Sequence, residues 1–381
     1  MNFDYVILGG GAAGLSLAYR MAKDKFFATK KIAIIEKVEK TKNDRTWCFW
    51  EIEPGPFESI IEKKWDKLYF YSKSLEKKLD IFPYKYKMIS GLGFYNFTLL
   101  EIKNSPNITH IKAEVSSIEE LKNEVKIETT AGTYFTPLVF KSYPSLKEID
   151  KEKHIYVDQH FKGFMISTEE DRFDPDEATF MDFRIPQGRD ARFFYVLPQT
   201  SKRALVEVAI FSNDLLSDKE YNQIVKDYIK DCLKIDSYHI DEEEFGVIPM
   251  TTYPFTKHNT ERIIHIGTGG GVVKPSSGYA FKRIQEHSDQ VIRCLKNDIP
   301  LSKSYKGLQG KYLLLDKVML HAMLHNGVSG EELFTKLFQK KKASEIFKFL
   351  DQKTNFFEEL GIFTAPPTWP FTKSFFTVIS K

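Results

Sequence analysis

The feature that most constrains this chain is six residues long: Gly9-Gly10-Gly11-Ala12-Ala13-Gly14. They follow an apolar run, Phe3-Asp4-Tyr5-Val6-Ile7-Leu8, and precede a helix-like stretch from Leu15 to Met21. Strand, G-x-G-x-x-G and helix together form the fingerprint of a dinucleotide site. Gly9 allows the tight turn, Gly11 lets the backbone approach a pyrophosphate, and Gly14 lets the helix pack closely on the strand. The helix start at Ala12 and Ala13 offers N–H groups and a positive dipole end to phosphates. A second strand, Lys31 to Ile35, ends in Glu36. An acid there accepts ribose hydroxyls, which suits FAD or NAD and repels a 2′-phosphate. The alternative is a glycine turn without a ligand. Two flanking strands and a placed acid weigh against it.

At 381 residues the chain suits two to three structural units. Its hydrophobic content of 42% is that of a soluble globular protein. A net charge of +3 argues against a nucleic-acid partner. The 32 Phe and 18 Tyr fit a large apolar cavity, and equally a bias in composition. Cys48, Cys232 and Cys294 form no CxxC pair, zinc spacing or disulfide framework. No metal site is expected, and a reducing cytoplasmic compartment fits. The first strand begins within a few residues of Met1, which leaves no room for a signal peptide. No apolar run reaches the ~18 residues of a membrane span. Contact with a membrane surface stays open.

Further along, strand-like alternation appears at Trp65 to Tyr71, and another strand is expected at Tyr134 to Phe140. Residues 155–215 read mostly as strands: Phe164–Ile166, Ala178–Met181, Phe193–Leu197 and Ala204–Ala209. They suggest an antiparallel sheet. Asp218 to Cys232 has helical spacing, with Tyr221, Ile224, Val225, Tyr228 and Ile229 on one side. Arg262 to Ile266 reads as one more strand. It leads into a second glycine-rich loop, Gly267-Thr268-Gly269-Gly270-Gly271 through Pro275 and Gly278 to Tyr279. A second strand–glycine loop–helix junction so late suits a dinucleotide with two separate contacts. Leu301 to Lys381 reads as helical.

Asn43-Asp44-Arg45-Thr46-Trp47-Cys48-Phe49-Trp50 resembles the N-D-R-T-W-C-F-W signature of the lycopene cyclase family. Tyr86 to Gly91, Asp158 to Gly163, Met181 to Arg184, Phe194 to Glu207 and Gly270 to Tyr279 resemble its later segments, in order. The resemblance runs through nearly the whole chain. It implies an α/β fold with a Rossmann-like FAD-binding domain of the glutathione-reductase type, an antiparallel β-sheet substrate domain and a helical C-terminal region. The expected division is 1–55, 90–150 and 255–300 for FAD, and 56–89 and 151–254 for substrate. Residues 301–381 form the helical region, with possible membrane contact.

The implied activity is a non-redox isomerisation. The linear ends of lycopene close to β-ionone rings, giving γ-carotene and then β-carotene, with FAD active in its reduced form and NADPH as the reductant. The implied partners are lycopene and other linear carotenoids, beside a membrane surface at the cytoplasmic inner face. Two alternatives stand: a FAD/NADPH-dependent isoprenoid reductase or hydroxylase, and a non-catalytic lipid-binding carrier on the same scaffold. β against ε rings, one ring against two, and the oligomeric state stay open.

Protonating an alkene creates a poorly solvated carbocation. The site therefore needs an acid with a raised pKa, dry surroundings and negative charge or aromatic faces. Glu207 sits in the apolar stretch Ala204 to Phe211, and the resemblance gives it the role of essential acid. The plainer reading is an edge-strand acid paired with Arg203 or Lys202. The doubled acid of plant-type members is absent here, so only Glu207 carries over. Asp182 shares a face with Arg184, either as a structural ion pair or as a supporting acid. Arg45 contacts the flavin or pairs with Asp44, and Trp47 and Trp50 line an apolar wall or lie in the core. His265 reads as a satisfied structural histidine. Gly269, Gly270, Gly271, Pro275 and Gly278 are the late-loop cofactor contacts. Many flavoproteins of this fold carry G-D where this chain has Gly267-Thr268. In the tail, Leu333, Phe334, Leu337, Phe338, Ile346, Phe347, Phe349 and Leu350 alternate with lysines. That pattern suits a helix lying on an anionic bilayer, or an amphipathic helix covering the core.

Overall fold

The apolar runs Tyr5–Leu8 and Ile32–Glu36 show no polar alternation, the pattern of parallel strands buried on both faces. The structure is a computed structural model that describes residues 2–188, 190–305 and 310–380. It divides into two compact units.

The first unit comprises Met1–Lys42, Leu92–Tyr156 and Thr251–Leu313. Its centre is a five-stranded sheet in the order Ile263–His265, Val139–Lys141, Tyr5–Leu8, Ile32–Glu36, Ile108–Lys112. All its pairings are parallel. The helices Ala12–Lys23 and Phe281–Lys296 pack together. The Arg20 guanidinium joins them, donating to Asp289 at 2.6 Å and to Gln285 at 2.9 Å. The strand expected over Tyr134 to Phe140 is instead two. Gly132–Thr136 closes a three-stranded antiparallel sheet, and Val139–Lys141 enters the parallel one. Pro137 separates them, because it has no N–H to give to a ladder. The apolar faces of both sheets share one core containing Val6, Leu8, Ile35, Ile127 and Val139.

The second unit comprises Asn43–Gly91, Val157–Met250 and Leu314–Lys381. It is built on a seven-stranded sheet in the order His239–Thr251, Tyr156–Ser167, Arg203–Phe211, Ala191–Pro198, Glu177–Asp182, Lys67–Tyr71, Glu76–Asp80. The segments read as strands between 155 and 215 all belong to it. The sheet is antiparallel except where Glu177–Asp182 runs parallel to Lys67–Tyr71. The alternation read across Trp65 to Tyr71 breaks at Asp66: Lys63–Trp65 joins Thr46–Glu51 and Lys85–Ser90 in a separate three-stranded sheet.

One face of the large sheet is covered by the helix Asp218–Asp231. Ser217 and Glu220 cap that helix reciprocally, and its Tyr221, Val225, Tyr228 and Ile229 are buried. They pack on Phe194, Val206, Val208 and Ile210. The other face receives the helices Gly330–Lys340 and Ala343–Leu350. Phe334 stacks on Phe183 at 5.8 Å, and Phe347 lies 5.4 Å from Phe180. Leu333, Phe334, Phe338, Ile346 and Phe347 are therefore core, and the amphipathic pattern of this stretch is spent on the sheet. Helices Gly310–His325, Phe356–Phe363 and Thr368–Ile379 complete the tail. Of the stretch expected to be helical, residues 306–309 and 381 lie outside the described residues. No helix among the described residues is long and apolar enough to cross a membrane.

Candidate functional site

Parallel strands deliver their C-terminal loops to one edge of a sheet, and ligands of such sheets bind there. In the first unit both glycine-rich loops follow parallel strands, Tyr5–Leu8 and Ile263–His265. A Cβ on Gly14 would overlap the Gly9 carbonyl oxygen and sit 3.2 Å from Ile7 Cγ2, so only glycine lets the helix come this close. Gly11 is the reverse case: a Cβ there would meet nothing within 4 Å. Gly11 is also the N-cap of Ala12–Lys23, whose first turn contains no acidic residue. An open approach to uncapped, acid-free amides fits a pyrophosphate. The Glu36 carboxylate accepts from the Gly10 N–H at 2.6 Å and from the Val38 N–H at 3.0 Å, which fixes it at the end of its strand.

The late loop is seated against the first. A Cβ on Gly267 would stand 2.5 Å from Ala13 Cβ, and one on Gly269 would stand 2.6 Å from the Tyr143 carbonyl oxygen. Gly267–Gly270 is a single 3-10 turn, with Gly271 as its cap, and the following helix starts only at Phe281. Between them the chain turns back at Pro275 and Gly278. The Gly278 N–H donates to the Lys274 carbonyl at 2.9 Å, and the Lys274 N–H to the Tyr279 carbonyl at 3.0 Å. Gly9, Gly11, Ala12, Ala13, Gly14, Glu36 and the late-loop residues are thus brought together in one unit. His265 is held by Asn259 through both its backbone N–H, at 2.8 Å, and its ring Nδ1, at 3.1 Å. Burial lowers its pKa to about 4.

Arg45 belongs to the second unit and forms an ion pair with Asp44 at 3.1 Å. Trp50 is in the core, stacked on Phe347 at 4.5 Å, with its indole N–H donated to Asp351 at 3.0 Å.

Glu207 lies on Arg203–Phe211, an interior strand between Tyr156–Ser167 and Ala191–Pro198. The edge-strand reading does not hold. Arg203 pairs with Asp241 at 3.0 Å, and Lys202 donates to the Glu169 carbonyl at 2.8 Å. Directly opposite Glu207 stand Tyr195 on one side and Gly163 on the other. Tyr195 opens an aromatic run on this face: Phe193 at 5.2 Å, Phe180 at 6.2 Å, then Phe338 and Phe347 beyond Phe180.

The nearest acid to Glu207 is one the sequence reading missed, Glu244. It lies on His239–Thr251, is 7% exposed, and accepts from the Thr46 hydroxyl at 2.8 Å. The two side chains meet at Gly163, where a Cβ would lie 3.0 Å from Glu244 Cγ and 3.2 Å from Glu207 Oε2, and both carboxyls titrate above the ordinary range, Glu207 well above it. Burial is the main cause in both, and the charge of Glu244 adds to it at Glu207. The signal for Glu244 was hidden in an acidic run, Asp241-Glu242-Glu243-Glu244, which reads as a solvated face. The burial of this strand is inverted: Glu244 is inside while Phe245 is 46% exposed.

Asp182 is fully buried and is not brought to Glu207. It accepts from the Tyr228 hydroxyl at 2.7 Å and from Arg184 Nη2 at 2.6 Å, and the Arg184 guanidinium lies 3.9 Å above the Tyr71 ring. It pairs with Phe194, which pairs with Val208, so it shares the face covered by the helix Asp218–Asp231. A buried acid closed off by an arginine and a tyrosine is the geometry of a structural ion pair.

The family model described as Lycopene cyclase protein matches residues 4–375. A chloroplastic neoxanthin synthase of Solanum tuberosum is 23% identical over 328 residues, covering 81% of this chain and 63% of that protein. A chromoplastic capsanthin/capsorubin synthase of Capsicum annuum is 22% identical over 340 residues, with the same coverage. The chain therefore spans less than two thirds of the length of these curated relatives. Among solved structures, a geranylgeranyl bacteriochlorophyll reductase-like protein of Thermoplasma acidophilum superposes with a TM-score of 0.68 at 12% identity, covering 98% of both chains. A flavin-dependent brominase gives 0.63 at 10% identity, covering 100% of this chain and 98% of its own. A p-nitrophenol 4-monooxygenase of Pseudomonas putida gives 0.59 at 13% identity, covering 99% and 97%. These likenesses establish the fold: a parallel nucleotide-type sheet with an antiparallel sheet and a helical C-terminal region.

Proposed function

We propose, from the premise that this chain belongs to the lycopene cyclase protein family, that it is a carotenoid cyclase. It closes the linear ends of lycopene into β-ionone rings, giving γ-carotene and then β-carotene, without net oxidation or reduction. The cofactor is FAD in its reduced form, and NADPH is the reductant that keeps it so. Gly9, Gly11, Ala12, Ala13, Gly14, Glu36, Gly269, Gly270, Gly271, Pro275 and Gly278 hold the dinucleotide, with its pyrophosphate at Gly11 and its ribose at Glu36. When bound, reduced FAD would supply fixed negative charge, which favours a cationic transition state.

The observation that carries this reading is the carboxyl of Glu207. It keeps its proton above the usual carboxyl range on an apolar sheet face and stands in register with Tyr195. A carboxyl that holds its proton more tightly than usual is suited to general-acid work. Its proton adds to C2 of the terminal alkene, the C1 cation is attacked by the neighbouring double bond, and a proton leaves C6 as the ring closes. Each aromatic face turned to the cation lowers its energy by about 0.5–2 kcal/mol. Tyr195, Phe193 and Phe180 are the candidates on that face. Asp182 has a structural role, locking Arg184 and Tyr228.

A bilayer surface is the source of so insoluble a substrate. The apolar residues left outside in the tail support contact there: Phe357 is 81% exposed and Trp369 76%, with Phe356, Leu360, Phe376 and Ile379 also exposed on the last two helices. Burying such residues in the headgroup region is the usual basis of peripheral attachment.

The test is expression in cells that already accumulate lycopene, with chromatography of the pigment. Bicyclic β-carotene is the expected product. Anaerobic assays with pre-reduced flavin should then give many turnovers without further reductant. Consumption of one NADPH per product would replace the isomerase with an isoprenoid reductase.

A further inference from the structure

We propose that Glu244 is a positioning residue: it shares a single proton with Glu207 across Gly163, and Thr46 keeps the negative charge on Glu244 and so the proton on Glu207. The inference rests on the reading of Glu207 as the acid.

Gly163 makes the pairing possible. It stands directly opposite Glu207 on the neighbouring strand. A Cβ on it would lie 3.0 Å from Glu244 Cγ, 3.0 Å from Leu205 Cδ1 and 3.2 Å from Glu207 Oε2. The two glutamate side chains therefore meet in space that any other residue would fill. Two carboxylates offer only acceptors and repel each other, so side chains brought this close hold a proton between them.

The surroundings decide which one carries it. The Thr46 hydroxyl donates to Glu244 Oε2 at 2.8 Å, which favours the charged form of Glu244, and the Arg45 charge acts in the same direction. The other titratable groups around the pair are Glu242, acting on Glu244, and Cys48, whose thiol is hydrogen-bonded to Tyr86 and also feels Glu62. Glu242 opposes charge on Glu244, but its effect is smaller than those of Thr46 and Arg45, which favour it. The proton thus resides on Glu207, aimed for transfer. After transfer to C2 the pair carries two negative charges in contact, which drives uptake of the proton released from C6. One proton leaves and one returns.

The experiment uses the full-length, flavin-loaded protein and its Glu244→Gln, Thr46→Val and Glu207→Gln variants. The pH profile of lycopene conversion is measured together with an infrared titration of protonated carboxyl. Wild type should show a protonated carboxyl at neutral pH that disappears in Glu207→Gln. Glu244→Gln removes the like charge, so the alkaline limb should move down by about one pH unit or more. Thr46→Val removes the donor that holds the charge on Glu244. Glu244 is charged on both sides of the limb, so the limb should stay near its place while the protonated-carboxyl signal passes in part from Glu207 to Glu244 and conversion falls several-fold. A structural role alone would not move the proton between the two carboxyls. An unmoved limb in Glu244→Gln, or an unchanged carboxyl signal in Thr46→Val, overturns the shared proton. Should Glu244→Gln fail to fold, the unchanged signal in Thr46→Val is sufficient to do so. If Glu207→Gln still cyclises lycopene while the limb and the signal move as expected, the shared proton stands and the role of Glu207 as donor falls.

Discussion

Asp182 and Glu207 lie in the same seven-stranded sheet and face opposite sides of it. Asp182 pairs with Phe194, and Phe194 with Val208, the residue after Glu207. Neighbours along a strand point to opposite faces. The two acids therefore serve different surroundings, one closed by Arg184 and Tyr228, the other open toward aromatic rings.

Asp182→Asn should accordingly behave as a stability mutant. Asn loses the charge-assisted hydrogen bonds from Tyr228 and Arg184, and a hydrogen bond to a charged group contributes about 1.5–3 kcal/mol. Thermal melts should fall sharply, and turnover per folded molecule should stay within a few-fold of wild type. A stable but inactive Asp182→Asn protein would return Asp182 to the chemistry.

The two glycines of the first loop should separate binding from stability. Gly11→Val places its side chain in open space, so the fold should survive while flavin absorbance is lost on gel filtration. Gly14→Ala drives a methyl into the Gly9 carbonyl. It should lose about 1–3 kcal/mol of stability, the usual cost of overpacking. Full flavin retention in Gly11→Val would displace the pyrophosphate from this turn.

The acid pair should make stability depend on pH. Both carboxyls titrate higher in the folded protein than the ordinary value. Such a group binds its proton more tightly when folded. Its contribution is full below the unfolded value of about 4.3 and is lost as pH rises through the folded value. Glu207→Gln should therefore melt higher than wild type at pH 7 and no higher at pH 4. A lower melting temperature at neutral pH would contradict the raised titration.

Attachment to anionic vesicles should follow the last two helices. Trp369 fluorescence should shift to the blue on vesicle addition, and Phe357→Glu combined with Trp369→Glu should abolish co-sedimentation. Loss of binding only on changing Lys336 or Lys340 would move the contact to the helix Gly330–Lys340, which presents its apolar side to the sheet.

The nucleotide half of the fold was legible because its signals are local: two short apolar runs, a glycine turn and an acid at a fixed place. The helix Asp218–Asp231 was legible for the same reason, from its spacing. What escaped depends on partners distant in sequence. Pro137 splits one expected strand between two sheets, and only the second sheet reveals why. The tail pattern of Leu333, Phe334 and Phe347 is the same whether it covers a core or a membrane. Glu207 was visible as an acid among apolar neighbours. Glu244 was not, because it is the last of four consecutive acids and becomes distinctive only where Gly163 lets it reach Glu207.

The most direct measurement compares lycopene conversion by wild-type and Glu207→Gln proteins that carry equal amounts of reduced flavin. The substitution keeps the shape and removes the transferable proton. Conversion should fall by at least ~10²-fold, the low end for a lost general acid, with folding and flavin content unchanged. A folded, flavin-loaded Glu207→Gln protein that cyclises lycopene at a near-normal rate would contradict the account.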